Sequence, residues 1–140
     1  MRSLNVWGLL LLLSTVTACS SKPSAKELTK ELKTVESWTQ TAHMVGDSWV
    51  RETVPTPYAK QTLQKTQKEL HNETDTLNKV APTQDRKTVM EQVQRLEYTI
   101  GEMTTAVKQN DRKVMTQQLQ QLSTQEQAMK ALIGRKGGQP

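Results

Sequence analysis

Several residue types on which many folds depend are absent from the chain or rare in it. Phenylalanine is absent, aromatic residues make up only 4% of the 140 residues, and glycine and proline number six and five. So few turn-forming residues exclude a β-sandwich or a β-barrel, where a turn follows nearly every short strand. With 34% hydrophobic residues and a mean hydropathy of −0.68, the core must also be small. These shortages favour a single helical domain with a polar surface.

Residues and motifs that commonly carry chemistry are equally scarce. Cysteine occurs once, at Cys19, which excludes a disulfide within one chain, and histidine occurs only twice. The sequence contains no glycine-rich phosphate-binding motif, no HExxH and no CxxC. His43 and Asp47 lie four residues apart in the sequence, but two ligands make a poor metal site and favour an ordinary surface pair. We therefore expect no enzyme, no cofactor and no metal site.

The first twenty residues have the layout of a targeting segment. Arg2 precedes the apolar run Val6–Leu13, which is too short to span a bilayer as a helix. The sequence Val16-Thr17-Ala18-Cys19 follows, with small residues before the cysteine. This segment resembles the signal peptide and lipobox of bacterial lipoproteins. The resemblance implies that residues 1–18 are removed and that Cys19 becomes the N-terminus, acylated with fatty acids such as palmitate.

An ordinary secretory signal with an incidental cysteine is the alternative, but it leaves the lone thiol of Cys19 unexplained. The lipoprotein resemblance implies a periplasmic domain anchored to a membrane of the cell envelope. Ser20, rather than Asp, after the cysteine favours the outer membrane over the outer face of the inner membrane in enteric-type bacteria. Export also makes nucleic acid an unexpected partner despite a pI near 9.4. The expected partners are membrane lipid and another envelope protein.

Four helices are predicted by apolar residues that recur at steps of three and four. Their approximate ranges are Ala25–Thr53, Pro57–Lys79, Gln84–Gln109 and Arg112–Ile133. The short connections force successive helices to be antiparallel neighbours. The predicted fold is therefore an all-α, up-down-up-down four-helix bundle over residues 24–134. A lipidated tether at 19–23 precedes the bundle, and a disordered tail at 135–140 follows it.

Local signals at the helix ends support these ranges. Thr56, Thr83 and Asp111 are predicted N-caps, and Gly134 is predicted to stop the fourth helix. Gly46 lies inside the first helix and could break it. However, apolar residues spaced by seven continue through this position, so we expect an unbroken helix in which Gly46 lets a neighbour approach closely.

A polar layer is predicted inside the bundle. Helical wheels place four polar side chains within the apolar sectors at similar depth, namely Glu31, Glu73, Gln92 and Glu126. Carboxyl groups in a dry layer would need raised pKa values, a cation or an opening to water. A dry layer supports an alternative function, in which the protein carries a ligand or metal ion. If these side chains are solvated instead, they would bind neither.

The end of the bundle nearest the anchor is predicted to be strongly basic. We name this region the basic end, and it contains Lys22, Lys26, Lys79, Arg86, Lys87, Lys130, Arg135 and Lys136. Positive charge there would face anionic lipid headgroups. Elsewhere, Tyr98 points away from its apolar stripe, beside Gly101, and offers a docking position. The sequence thus predicts a membrane-anchored, non-catalytic helical lipoprotein that binds or scaffolds another protein.

Overall fold

The computed structural model describes residues 25–137, and the predicted anchor and tether lie outside this range. The described residues form four α-helices: α1 (Ala25–Val50), α2 (Thr56–Val80), α3 (Thr83–Lys108) and α4 (Arg112–Gly137). Helices α1 and α3 each pack against both α2 and α4, and they meet only slightly across the centre. The predicted four-helix bundle is confirmed.

One apolar stripe on each helix supplies the core. Leu32, Leu63, Leu96 and Leu122 come from the four helices in turn, and all four are fully buried. The steps of three and four residues place such side chains on a single face of each helix. Burying one leucine contributes about 1.5–3 kcal/mol, so the stripes provide the main stabilisation of a chain with few apolar residues.

Buried threonines extend this small core. Thr39 and Thr104 donate hydroxyl hydrogen bonds to the carbonyl oxygens of Val35 and Ile100, at 2.8 and 3.0 Å. Each bond returns to the preceding turn of the same helix, so the hydroxyl is satisfied without a partner from another helix. The threonine methyl groups can then pack among aliphatic side chains, as valine would.

Gly46 allows a close approach at the centre of the bundle. It is buried, and α1 continues through it without a break, as the sequence predicts. A Cβ atom at this position would lie 2.6 Å from Met103 Cε, 3.0 Å from Leu119 Cδ2 and 3.2 Å from Met115 Sδ. Side chains from α3 and α4 therefore occupy the space that any larger residue would need.

The end of the bundle opposite the start of α1 is tied together by Trp49 and Arg112. The indole Nε1–H of Trp49 donates to Thr56 Oγ1 at 3.0 Å. The guanidinium of Arg112 lies 5.2 Å from the centre of the Trp49 ring and 3.2 Å from a Glu52 carboxylate oxygen. These contacts join the α1–α2 connection to the start of α4. They are cation–π and ion-pair contacts that the sequence pattern does not reveal.

Two predicted N-caps are wrong, and one is confirmed. Thr56 and Thr83 are the first residues of α2 and α3, and the capping positions before them are prolines without a side-chain cap bond. The hydroxyl of Thr56 accepts from Trp49 instead. Asp111 does cap α4, since its Oδ1 accepts the backbone N–H of Val114 at 3.0 Å.

The predicted ends of two helices are also wrong. Helix α1 ends at Val50 rather than near Thr53, and Glu52 then adopts a left-handed conformation with φ of 61°. Helix α4 passes Gly134 and reaches Gly137, so part of the predicted disordered tail is helical. An ion pair of 2.6 Å between Lys136 and Asp85 holds this last turn against α3.

Two glycine substitutions test the packing at Gly46. Gly46→Leu should lower the free energy of unfolding by about 1–3 kcal/mol, because the added side chain overpacks the centre. Gly134→Ala should raise it by up to about 1 kcal/mol, because this helical glycine has open space around its Cα. Urea unfolding followed by circular dichroism measures both values. Equal effects of the two substitutions would contradict the close approach at Gly46.

Candidate functional site

The predicted lipidation site lies outside the described residues. Cys19, the signal peptide and Lys22 all precede Ala25, where the description begins. Helix α1 starts six residues after Cys19. A lipid anchor at Cys19, as the sequence predicts, would therefore be closest to the end of the bundle at which α1 begins. The connection between α2 and α3 and the last turn of α4 lie at this same end.

The predicted polar layer is divided in the structure. Glu31, Glu73, Gln92 and Glu126 are each only partly buried. Glu31 and Glu73 contact each other between α1 and α2. Glu126 contacts His43 between α1 and α4, and Gln92 lines a groove between α3 and α4. In residues 25–137, no group of three or more acidic, histidine or cysteine side chains is placed to hold a metal ion.

The division follows from the register of the helices. Helix α4 continues past Gly134 to Gly137, so Glu126 lies eleven residues from the end of α4, whereas Glu31 lies six residues from the start of α1. At a rise of 1.5 Å per residue, the Cα atom of Glu126 is about 7 Å further from the basic end than that of Glu31. Glu126 accordingly contacts His43, twelve residues after Glu31 on α1. The four side chains therefore do not share one layer.

Glu31 and Glu73 form a hydrogen-bonded acid pair. Burial raises the pKa of Glu73 above its ordinary value, and the hydrogen bond with Glu31 and the negative charges of Glu31 and Glu69 raise that pKa further. A carboxylate can only accept a hydrogen bond, so the pair needs a proton on one partner. Glu73 Oε2 is buried and has no hydrogen-bond partner among the described residues. The pair is therefore most stable when it holds a proton.

Two histidine–glutamate contacts join other pairs of helices. His43 Nδ1 lies 3.2 Å from both carboxylate oxygens of Glu126, whose side chain is only 12% exposed. Because the carboxylate only accepts, Nδ1 carries the proton of this bond. His71 Nδ1 lies 3.3 Å from Glu97 between α2 and α3. The sequence pattern does not reveal either contact, because the partners are distant along the chain.

The residues of the basic end divide into exposed and engaged side chains. Five are exposed, namely Lys26, Lys79, Lys87, Lys130 and Arg135. Two of these five also make contacts: Lys87 Nζ lies 3.9 Å from Glu91, and Arg135 Nε donates to the carbonyl oxygen of Ala131 at 3.4 Å. The ammonium of Lys136 is instead paired with Asp85, with both side chains mostly buried. Arg86 donates from Nη2 to the carbonyl oxygen of Ala81 at 3.2 Å. Arg86 and Lys136 thus hold the basic end together rather than extend from it.

The acidic Glu27 moderates the positive charge at this end. It lies in the first turn of α1, directly after Lys26, and it is not among the residues of the predicted basic end. Asp85 is taken up by the ion pair with Lys136, and Glu91 lies 3.9 Å from Lys87. The exposed side chains at the basic end therefore remain predominantly basic.

A groove lies at the middle of the bundle, between α3 and α4. It encloses about 700 Å³ and is lined by Glu91, Gln92, Gln94, Arg95, Tyr98, Gln121, Thr124, Gln125 and Ala128. Tyr98 is 66% exposed, as its position off the apolar stripe predicts. Gly101, by contrast, lies beneath Gln67 of α2 and provides no open surface beside Tyr98. The groove was not predicted, because its two walls come from separate helices.

Comparison with known proteins assigns neither a family nor a function to the chain. No protein family model, no curated protein and no solved structure matches this chain significantly. Among the described residues, no helix has both the length and the apolar composition needed to cross a lipid bilayer.

The acid pair predicts opposite effects of two similar substitutions. Glu73→Gln should raise the free energy of unfolding at neutral pH. The amide has nearly the shape of the carboxyl group and can donate a hydrogen bond to Glu31, while the destabilising negative charge is removed. The raised pKa of Glu73 means that the folded wild type holds its proton more tightly than the unfolded chain does. Wild-type stability should therefore fall as pH rises through this pKa, and the benefit of Glu73→Gln should vanish in acid.

Glu126→Gln serves as the matched control. It removes the charged partner of His43 and should not raise stability at neutral pH. Urea unfolding at neutral and mildly acidic pH measures both variants. Stabilisation by Glu126→Gln but not by Glu73→Gln would refute this assignment of the acid pair.

Proposed function

We propose that this chain is a lipid-anchored, non-catalytic helical module of the bacterial cell envelope. Acylated Cys19 inserts in the membrane, the bundle stands on its basic end, and its sides bind another envelope protein. The lipobox-like sequence supports the anchor. The position of the basic side chains supports the orientation. The anchor and the basic end are then two signals that act on the same membrane surface.

The exposed basic side chains are the observation that carries this proposal. Lys79 and Lys87 flank the connection between α2 and α3, whereas Lys130 and Arg135 belong to the last turns of α4. Positive charge near a helix C-terminus is favourable, which accounts for Lys79, Lys130 and Arg135 within the fold. It does not account for Lys26, which lies in the first turn of α1. Lys87, near the start of α3, lies 3.9 Å from a Glu91 carboxylate oxygen and remains exposed. An anionic membrane surface would stabilise all five.

The short tether keeps this end close to the lipid. Residues 20–24 can span at most about 17 Å when fully extended. Each basic side chain near an anionic surface contributes about 1 kcal/mol, and the attraction fades within a Debye length of about 8 Å in physiological salt. A bundle held at this distance can therefore bring its basic side chains into contact with headgroups.

A role as a ligand or metal carrier is the weaker proposal. It depends on Glu31, Glu73, Gln92 and Glu126 acting together. These side chains are instead distributed over three different helix–helix boundaries. We therefore prefer a role in binding through the outer faces of the bundle.

Vesicle binding tests the proposed orientation. The mature chain without its acyl groups, Ser20–Pro140, should co-sediment weakly with vesicles containing anionic lipid and not with neutral vesicles. High salt should abolish the binding. Replacing Lys79, Lys87 and Lys130 together with glutamine should weaken it at least about tenfold, because three contributions of about 1 kcal/mol are removed.

A second triple variant provides the control for net charge. Lys60, Lys108 and Lys113 are exposed near the opposite end of the bundle, and glutamine at these positions should leave most of the binding intact. Equal losses in the two triple variants, or equal binding to both kinds of vesicle, would contradict the orientation. The anchor is tested by the intact mass of the mature full-length chain, which should begin at acylated Cys19.

A further inference from the structure

We propose that the groove between α3 and α4 binds a neutral carbohydrate chain. The groove shares no residue with the exposed part of the basic end, so this proposal does not depend on the membrane orientation. Its lining spans residues 91–98 of α3, which extend about 10 Å along the helix axis. This length suits a short stretch of a linear polymer rather than a single small ion.

The chemistry of the lining points to a neutral, hydroxyl-rich ligand. Four glutamine side chains line the groove, two from each helix, and each amide offers both donors and an acceptor. Glu91 and Arg95 carry opposite charges, so the lining has no excess of positive charge to attract phosphate. Ala128 is the single aliphatic residue among the groove residues. The groove therefore offers no deep apolar pocket for a large hydrophobic anchor of a protein partner.

Gln125 supplies a buried acceptor beside the groove that it lines. Its Nε2 donates to Thr99 Oγ1 at 3.0 Å, so the nitrogen of this amide has a partner. Its Oε1 is buried and has no hydrogen-bond partner within residues 25–137. A buried acceptor without a partner costs about 1–3 kcal/mol, and a donor that enters the groove would recover part of this cost. A sugar hydroxyl is such a donor, once the amide shifts slightly toward the opening.

Tyr98 supplies an aromatic surface at the edge of the same groove. It is the most exposed of the large hydrophobic residues in the described part of the chain, at 66%. The electron-rich face of an aromatic ring attracts the weakly positive hydrogens on the apolar face of a sugar ring. The phenol can also form hydrogen bonds with hydroxyl groups. The exposed ring and the row of amides thus match the two kinds of surface on a sugar.

Binding of the full-length chain to insoluble polysaccharides tests the proposal. The detergent-solubilised protein is mixed with chitin, cellulose or starch and sedimented, and a soluble oligosaccharide of the bound polymer serves as competitor. We expect binding to at least one of the three, with displacement by the competitor. Tyr98→Ala and Gln125→Ala should each weaken this binding about tenfold, whereas high salt should have little effect.

Tyr58→Ala is the matched control. Tyr58 is 50% exposed on α2 and does not line the groove, so its replacement should leave binding unchanged. Circular dichroism of each variant verifies that the bundle remains folded. The proposal is wrong if none of the three polymers is bound, or if all variants bind equally. A dimer in sedimentation velocity that Tyr98→Ala dissociates would instead assign the groove to a second copy of the chain.

Discussion

Helix α1 passes through Gly46 without a break, and the packing of the other helices depends on this continuity. A side chain at Gly46 would collide with Met103 of α3 and with Met115 and Leu119 of α4. Because α1 is unbroken at Gly46, its second half carries Trp49 to the far end of the bundle. There Trp49 contacts Thr56 and Arg112 and joins the two connections. A glycine that is unfavourable for an isolated helix thus stabilises the helix in its tertiary context.

The sequence predicts the helical stripes well because their period depends only on nearby residues. The apolar steps along α3 lead from Val89 to Val107, and both ends of this stripe are buried as expected. The helix ends are predicted less well, since distant residues decide them. Thr56 resembles an N-cap, but its hydroxyl oxygen accepts the indole N–H of Trp49 and makes no capping bond to α2. Gly134 resembles a stop, but α4 continues to Gly137, and its last turn contains the ion pair of Lys136 with Asp85.

Local sequence patterns predict the candidate sites even less well than the helix ends. Helical wheels identify Glu73 as a carboxyl in an unfavourable environment, and the raised pKa of Glu73 agrees with that expectation. They do not identify Glu31 as its partner, nor His43 as the partner of Glu126, because a wheel omits side-chain direction and the neighbouring helix. Helical wheels do not predict the α3–α4 groove for the same reason. The proposed binding surfaces lie on the outer faces and ends of the bundle, where polar side chains from neighbouring helices meet.

The continuity of α1 is tested most directly by native-state hydrogen exchange of the backbone amides. If the bundle unfolds as one unit, the most protected amides on both sides of Gly46 should exchange with the free energy of global unfolding. The same value should hold for the central amides of α2, α3 and α4. Exchange of residues 47–50 through a separate opening of much lower free energy, while residues 35–45 stay protected, would contradict the account.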